Sequence, residues 1–215
     1  MKSAIIIPLY NEEKTIAKVI SDINDLSLNL DILIVNDKSN DNSLSIINHY
    51  KNIILINNKR NVGYEKSLEI GFCKALKLKY NFLITMDADG EHNALDIPKI
   101  LKLLSEGNNL VVTNREKKNR VSEYFLSFIF NLFFSIKDPL SGYKGYDVKQ
   151  LIMKNIKIKF SGVGSYILIK SIISSLPIAN LNTQTKAREG YSRYGSGLML
   201  EIKIIFFVLS QFLVI

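Results

Sequence analysis

Short apolar runs alternate with amphipathic stretches along the first half of the chain. Five runs have the length and composition of buried strands: Ala4–Leu9, Asp31–Asn36, Ile53–Ile56, Phe82–Met86 and Leu110–Thr113. Between them, apolar residues recur at helical spacing in sets that begin at Ile16, Leu44, Leu68 and Ile97. Strands that alternate with helices over short connections predict an α/β fold, in which helices cover both faces of a mostly parallel sheet.

Polar loops follow the first four strands of this pattern: Tyr10–Glu13, Asn36–Ser43, Asn57–Gly63 and Asp87–His92. Right-handed crossovers place all strand-to-helix loops of a parallel sheet at one edge, so we expect these loops to converge. Open α/β sheets bind their ligands at that edge. The pattern therefore predicts a single cleft lined by acidic and amide side chains.

The fourth strand ends in the sequence Asp87-Ala88-Asp89-Gly90. Carboxylates two residues apart point to the same side of an extended backbone. Oxygen ligands of this kind suit Mg²⁺ or Mn²⁺, which bind through a few carboxylates together with substrate phosphates. The alternative is an acidic turn that caps the next helix, and the motif alone does not decide between the two.

A basic loop at residues 115–120 and an aromatic segment at Tyr124–Phe134 open the second half of the chain. A basic collar beside an aromatic helix fits a membrane-surface element, and a core helix of the domain fits equally well. We expect three segments to follow: a turn-rich loop at Asp138–Gly145, a helix at Ser165–Ser175 and an extended stretch at Pro177–Lys186.

The end of the chain contains a flexible stretch and an apolar stretch. The glycine-rich basic loop Arg188–Gly197 is expected to be a mobile flap that closes on an anion, or else a flexible linker. The apolar run Ile204–Ile215 would extend about 18 Å as a helix, short of the roughly 30 Å hydrocarbon core of a bilayer. We therefore expect a main domain at residues 1–197 and, at residues 198–215, an apolar C-terminal helix that is interfacial or docked.

Composition narrows the function classes. The chain of 215 residues has a formal net charge of +8, which indicates an anionic partner or general solubility. The single cysteine, Cys73, excludes an internal disulfide and a cysteine-rich zinc site, and its apolar helical surroundings predict a core position. The sequence lacks a P-loop, a dinucleotide fingerprint and a nucleic-acid-reading motif, so no nucleic acid partner is expected. No signal peptide is recognised, which favours a cytoplasmic location.

Six motifs occur in order along the chain: Ile6–Glu12, Ile34–Asp41, Arg60–Tyr64, Asp87–His92, Asp138–Lys144 and Gly190–Arg193. Together they resemble family 2 glycosyltransferases, in particular the dolichyl-phosphate mannosyltransferases and their polyprenyl-phosphate relatives. The resemblance extends to about Gly197. It implies the GT-A fold, a Rossmann-like and mostly parallel sheet, and makes residues 1–197 the catalytic domain.

The resemblance also implies roles for individual residues. Asp87 and Asp89 would hold Mg²⁺ or Mn²⁺, with Asp89 as the main ligand. The catalytic set would be Asp89, Asp138 and Arg115, with Arg115 on a phosphate and Asp138 near the acceptor. The residues that would bind the nucleotide sugar are Pro8, Tyr10, Glu12, Asp37, Gly63, Asp87, Arg188 and Arg193.

One motif departs from the family pattern. Where the family usually shows two aspartates followed by a glycine, this chain has Asn36, Asp37 and Lys38. Asn36 replaces a group that only accepts hydrogen bonds with one that also donates them. The departure leaves the preference for the nucleotide base open.

Residues and resemblance together predict an inverting hexosyltransferase. It would move a sugar from a GDP- or UDP-linked donor to a polyprenyl phosphate of the dolichyl or undecaprenyl type. We expect it to associate peripherally with the cytoplasmic face of the membrane. Two alternatives stay open: a transferase that extends a cell-surface glycan, and a catalytically silent subunit that binds a nucleotide sugar.

Overall fold

The computed structural model describes residues 1–118, 120–154, 156, 162–186 and 197–213. In these residues one seven-stranded sheet is flanked by helices. The strands are β1 (Ser3–Leu9), β2 (Leu30–Asn36), β3 (Ile53–Asn57), β4 (Phe82–Thr85), β5 (Leu110–Arg115), β6 (Lys144–Asp147) and β7 (Ile178–Thr183). The helices are α1 (Ile16–Asn24), α2 (Ser43–Ile47), α3 (Tyr64–Lys77), α4 (Ile97–Ser105), α5 (Val121–Phe134), α6 (Val148–Met153), α7 (Val163–Ile173) and α8 (Leu198–Ser210).

The strands lie in the order β3-β2-β1-β4-β6-β5-β7. Neighbouring strands are parallel except at β6, which is antiparallel to both β4 and β5. β2 and β3 lie on one side of β1, and β4 lies on its other side. The loops after β1 and β4 therefore flank the topological switch point, where open α/β sheets bind ligands.

Alternate residues of β1 explain why helices cover both faces. Ala4 and Ile6 join the hydrophobic core beneath α3, α5 and α7, whereas Ile5 and Ile7 join the core beneath α1 and α4. Because successive side chains of a strand point to opposite faces, a continuous apolar run is required when both faces are buried. The predicted mostly parallel sheet with two covered faces is confirmed.

Strand β6 was not expected. The predicted turn-rich loop Asp138–Gly145 ends at Tyr143, and Lys144 already pairs with Thr85 of β4 and Val112 of β5. The sequence of β6 is Lys-Gly-Tyr-Asp, which lacks the apolar run of the other central strands. The prediction was wrong because the strand places a lysine, and not an aliphatic side chain, in the protein interior.

The expected core position of Cys73 is also wrong, since this residue is exposed. The buried face of α3 carries Leu68, Phe72 and Ala75, which follow helical spacing. Cys73 comes directly after Phe72 and is therefore rotated by about 100° away from that face.

Helices α5 and α8 pack against each other, and each leaves an apolar face exposed. The ring of Phe212, just beyond α8, lies 5.9 Å from Phe130 and 5.8 Å from Phe134. On and directly beside these two helices, the large apolar side chains with exposed fractions above one half are Val121, Tyr124, Phe128, Leu132, Phe133, Leu198, Met199, Ile202, Phe206 and Leu213. Within the described ranges, no helix combines the length and apolarity needed to cross a membrane.

Candidate functional site

Hydrogen bonds join the loops that follow β1, β2 and β4. The amide of Glu12 donates to Ser43 Oγ at 2.9 Å, which ties the loop after β1 to the start of α2. Thr15 Oγ1 donates to the carbonyl of Ala88 at 2.7 Å, which ties the same loop to the acidic segment after β4. Pro8 lies near the end of β1, and Tyr10 follows that strand directly. The loops therefore converge at the carboxyl edge of the sheet, as predicted.

Asp37 organises the loop that precedes α3. Its side chain is buried, Oδ1 accepts from the amide of Val62 and from Asn58 Nδ2, and Oδ2 accepts from the amide of Gly63, all within 2.9 Å. Gly63 has a φ of +89°, a conformation that side chains disfavour. The structure thus brings two predicted site residues together, with the carboxylate bound to the protein's own backbone.

Asn36 has a structural explanation in the same region. Its Nδ2 donates to Asn57 Oδ1 at 2.9 Å, and its Oδ1 accepts from the amide of Ser39 at 3.0 Å. The side chain is buried and joins the ends of β2 and β3. An aspartate at position 36 could not donate this hydrogen bond to Asn57. The asparagine that departs from the family motif is therefore explained by its hydrogen bond to Asn57.

The Asp87 carboxylate is held by an aromatic residue and approached by a backbone segment. Tyr64 Oη donates to Asp87 Oδ1 at 2.7 Å, and the amide of Asp87 donates to His92 Nδ1 at 3.0 Å. The His92 ring stacks on Tyr143 with centroids 4.8 Å apart. A Cβ at Gly142 would lie 3.1 Å from Asp87 Oδ2, so only glycine leaves this oxygen uncrowded.

Asp89 is buried in the same loop, where its Oδ1 accepts from the amide of Glu91 at 3.1 Å. A carboxylate has about four lone-pair sites, and Asp87 and Asp89 place two carboxylates in the loop after β4, beside the switch point. Among the described residues, no cluster of three or more acidic, histidine or cysteine side chains could hold a metal ion by itself. A donor set of two carboxylates fits a cation that is shared with the phosphates of a substrate.

Arg115 and Asp138 form a buried ion pair. Arg115 Nε donates to Asp138 Oδ2 at 2.8 Å and Nη2 donates to Oδ1 at 3.1 Å, while the Arg115 amide reaches Oδ2 at 3.3 Å. Asp138 has no exposed surface. Burial alone would lower the pKa of Arg115, but the hydrogen bonds and charge of Asp138, with Glu123 and Glu91 nearby, raise it overall. Arg115 is therefore a fixed cation, and Asp138 orients it.

Lys144 and Glu65 are site residues that the sequence analysis missed. Lys144 is buried, and its ammonium donates to the carbonyls of Pro139 and Ser141 in the loop before β6. Burial lowers the pKa of Lys144 to about 8, although the charges of Asp138 and Glu65 oppose the shift. Burial raises the pKa of Glu65, whose Oε2 accepts from the amide of Val163 at 3.0 Å. Lys144 is part of the motif Asp138–Lys144, and this position could have indicated that it belongs near the site.

The predicted phosphate-binding residues Arg188 and Arg193 lie outside the described residues, as does most of the glycine-rich loop that contains them. The placed candidates therefore fall into two groups. The first group, at the ends of β1 to β4 or in the loops that follow them, consists of Pro8, Tyr10, Glu12, Asp37, Gly63, Asp87 and Asp89. The second is the Arg115–Asp138 pair at the end of β5.

The fold and this geometry define a class: an α/β protein with a GT-A-type sheet and an acidic, phosphate-compatible cleft at its switch point. The chain belongs to glycosyl transferase family 2, whose sequence profile matches residues 4–163. It is thus a glycosyltransferase, as the motifs indicated, and the match covers β1 through the start of α7.

Relatives extend the likeness beyond that match. An uncharacterized protein of Methanocaldococcus jannaschii is 34% identical over 172 residues, covering 71% of this chain and 73% of the relative. The UDP-N-acetylglucosamine–dolichyl-phosphate N-acetylglucosaminyltransferase of Methanococcus voltae is 28% identical, covering 94% of this chain and 92% of the relative. The undecaprenyl-phosphate 4-deoxy-4-formamido-L-arabinose transferase of Proteus mirabilis is 30% identical, covering 58% of this chain and 39% of the relative.

Solved structures agree on the fold. Glucosyl-3-phosphoglycerate synthase from Mycobacterium tuberculosis, crystallised with Mn²⁺, UDP and its product, superimposes with a TM-score of 0.75 at 19% sequence identity. The superposition covers 98% of this chain and 79% of that protein. The GT-A fold expected from the motifs is confirmed.

Proposed function

We propose that this glycosyltransferase moves a hexose from a nucleotide diphosphate sugar to a polyprenyl phosphate, with a divalent metal ion bound, at a membrane surface. The relatives from M. voltae and P. mirabilis, both named for transfer to a polyprenyl phosphate, support this acceptor class. The Mn²⁺ and UDP in the structural neighbour support the metal and a uridine donor.

One geometric observation carries the proposal: a short loop joins the two groups of site residues. At its start Asp138 orients Arg115, and at its end Gly142 lies against Asp87. Hydrogen bonds from Thr85 Oγ1 to the carbonyl of Gly142 and from Lys144 to two loop carbonyls fix the loop in place. In this proposal, the two ends of one loop would support a cation for one phosphate and the carboxylates for a metal–diphosphate pair.

The carboxylates serve the donor side of the reaction. Asp87 and Asp89 would hold Mg²⁺ or Mn²⁺ together with the diphosphate, and Tyr64 orients Asp87 for this task. A bound divalent cation would neutralise the negative charge that develops on the departing nucleoside diphosphate. Asp37 keeps the loop before α3 in position and so shapes the nucleotide side of the cleft.

Arg115 serves the acceptor side. A phosphate monoester has a second pKa of about 6, so the acceptor is largely anionic at neutral pH and requires little help from a general base. A guanidinium held by Asp138 can bind such a phosphate through charge-assisted hydrogen bonds. Asp138 accepts bonds from Arg115 and is fully buried, so its proposed role is to orient this cation.

The membrane surface is assigned to the exposed faces of α5 and α8. These helices have 14 and 13 residues, which corresponds to about 21 and 20 Å, and their outer faces are apolar. Arg120 and the exposed Lys117 lie next to the start of α5. Apolar helices beside basic residues fit binding in the plane of an anionic lipid surface, where a polyprenyl acceptor is anchored.

Thermal unfolding with UDP, GDP and their sugar conjugates tests the donor half of the proposal. Each nucleotide is combined with Mn²⁺, Mg²⁺ or a chelator. A ligand at about 100 times its Kd adds about 2.7 kcal/mol to the free energy of unfolding, which gives a measurable shift in Tm. We expect a metal-dependent shift that Asp89→Asn abolishes and that Asp25→Asn, at the exposed end of α1, leaves intact.

Transfer itself is tested with a short polyprenyl phosphate, the matching polyprenol without phosphate and a soluble glycan. Product on the polyprenyl phosphate alone is the expected result. Product on the glycan would mean that the acceptor is a glycan and not a polyprenyl phosphate. A folded protein that neither transfers a sugar nor binds a nucleotide would contradict the proposal.

A further inference from the structure

A cavity lined by apolar and polar side chains lies between β6 and the starts of α3 and α7. Its volume is about 80 Å³, and its lining includes Tyr64, Glu65, Gly142, Lys144, Tyr146 and Gly164. About 10–15 Å³ of such volume is enough to hold one water molecule. The cavity therefore has room for several water-sized groups, which is enough for a polar substituent of a ligand.

Lys144 supplies a hydrogen-bond donor to this cavity. An ammonium has three N–H groups, and in the described part of the chain two of them have acceptors, the carbonyls of Pro139 and Ser141. A Cβ at Gly164 would lie 3.7 Å from Lys144 Nζ and 3.7 Å from Tyr146 Oη, so the space at this glycine borders both polar atoms. The Lys144 side chain is buried, which makes an unused donor costly unless a ligand or water accepts from it.

Glu65 supplies an acceptor to the same cavity. Its Oε2 accepts from the amide of Val163 at the start of α7, and within the described ranges no protein donor is bonded to Oε1. The opposite charges of Glu65 and Lys144 leave the cavity close to neutral. A phosphate here would face the carboxylates of both Glu65 and Asp87, so the cavity favours an uncharged group that can both donate and accept.

The cavity lies beside the proposed diphosphate site. Tyr64 lines it and donates to Asp87, and Gly142 lines it within close approach of the same carboxylate. If Asp87 flanks the diphosphate, the sugar attached to that diphosphate is the nearest part of the donor to the cavity.

We propose that this cavity recognises one neutral polar substituent, a hydroxyl or an amide, of the sugar that the enzyme transfers. Lys144 donates a hydrogen bond to the substituent, and Glu65 accepts one from it. The inference rests on the proposed function, because it assigns the cavity to the donor of that reaction.

The test measures kcat/KM for a panel of nucleotide sugars that differ in single hydroxyl or acylamino groups. Two variants alter the cavity in different ways. Lys144→Met removes the donor, and Gly164→Ala adds a methyl group at ordinary van der Waals distance from Lys144 and Tyr146. Because Gly164 lies in the first turn of α7, the alanine also suits the helix and keeps the protein folded.

We expect each variant to lower the preference for the best donor over its deoxy or deacylated analogue by at least about tenfold, since a buried polar partner is lost or blocked. In Gly164→Ala the metal-dependent Kd for the free nucleoside diphosphate should not change, because this substitution leaves the hydrogen bonds of Lys144 to the loop before β6 in place. The exposed Lys149, varied as Lys149→Met, serves as the matched control and should retain the full preference.

An unchanged preference in folded Gly164→Ala and Lys144→Met would overturn the inference and leave the transfer reaction standing. Absence of turnover and of nucleotide-sugar binding in the wild-type protein would overturn both. The two failures are distinguishable because the first occurs in an active enzyme.

Discussion

The Asp37 carboxylate illustrates how one residue can shape a site through the backbone. It accepts hydrogen bonds from two consecutive amides, those of Val62 and Gly63. Its position after β2 was predicted, because polar residues that follow an apolar run are readily recognised. The amides that it binds come from another loop, and sequence alone does not reveal such a pairing.

Replacing Asp37 with asparagine is expected to destabilise the protein. Asparagine replaces one carboxylate oxygen with an NH₂ group, which cannot accept a hydrogen bond from a backbone N–H. At least one of the two buried amides therefore loses its acceptor. We expect the free energy of unfolding to fall by about 1–3 kcal/mol, measured by urea denaturation. Asp25→Asn is the exposed control, and an equal effect at both positions would contradict the proposed role.

The Arg115–Asp138 pair permits a double-mutant cycle. Asp138→Asn removes the two-point partner of Arg115 and leaves Glu123, 3.5 Å from Nη2, as its remaining carboxylate, and breaking such a pair costs up to about 3–5 kcal/mol. Arg115→Met leaves a buried carboxylate without its cation. The double variant should lose less stability than the sum of the single variants, with a coupling of at least about 1 kcal/mol. Additive losses in urea denaturation would mean that the two side chains do not stabilise each other.

At the scale of elements, α5 shows why the sequence left a choice open. Leu126 and Phe130 are buried in the core, whereas Phe128, Leu132 and Phe133 are largely exposed. The helix is therefore apolar on both its inner and its outer face, so its composition could not distinguish a core helix from a surface-binding helix. The contact with α8 extends the outer apolar surface over a second helix.

The double variant Phe128→Ser/Phe133→Ser tests this surface. The two side chains are 67% and 69% exposed, so their loss should leave the stability nearly unchanged. Binding to vesicles that contain anionic lipid should weaken at least about a hundredfold, because burial of each phenylalanine contributes about 1.5–3 kcal/mol.

Leu28→Ser, in the loop between α1 and β2, is the matched control for flotation with these vesicles. Its binding should equal that of the wild type. Added salt should weaken binding of all three proteins. If the wild-type protein fails to bind at any salt concentration, the assigned membrane surface is wrong.

Strand β6 marks the limit of sequence prediction among the elements. The five apolar strands were recognised because each is a continuous apolar run, which burial on both faces requires of a central strand. β6 occupies an equally central position but contains Lys144 and Gly145. Its pairing depends on Thr85, which is distant in sequence and also donates a hydrogen bond to the loop directly before β6.

For the whole molecule, the buried lysine predicts a pH dependence of stability. Burial lowers the pKa of Lys144 to about 8 in the folded protein, whereas lysine in an unfolded chain titrates near about 10.4. Between these values the unfolded chain binds more protons than the folded one, so the free energy of unfolding rises with pH.

The difference in unfolding free energy between wild type and Lys144→Met isolates this contribution, since the other groups titrate in both proteins. From about pH 8 to about pH 10, the unfolding free energy of the wild type should increase relative to that of Lys144→Met. Below about pH 7.5 the difference should stay constant. A difference that is constant over the whole range would show that Lys144 is not desolvated in the folded state.

The overall architecture was more predictable than the site it supports. Alternating apolar runs and helical sets determine a sheet with two covered faces, and the crossover rule places the loops after β1, β2 and β4 at one edge. The cavity next to Asp87 requires α3, β6 and α7 together. No local sequence pattern at Glu65, Lys144 or Gly164 predicts that these three elements come together around a cavity.

Because β6 lies between β4 and β5 in the sheet, the strands cannot join the sheet in the order in which they are synthesised. β4 ends at Thr85, but its second neighbour begins only at Lys144, so a growing chain exposes one bare edge of β4 while α4, β5 and α5 are made. The first four strands can form a sheet early, whereas β5 must wait for a strand that follows it. An unpaired edge of this kind is prone to intermolecular pairing, and we expect nascent chains that end between these two residues to be the species that most need a chaperone.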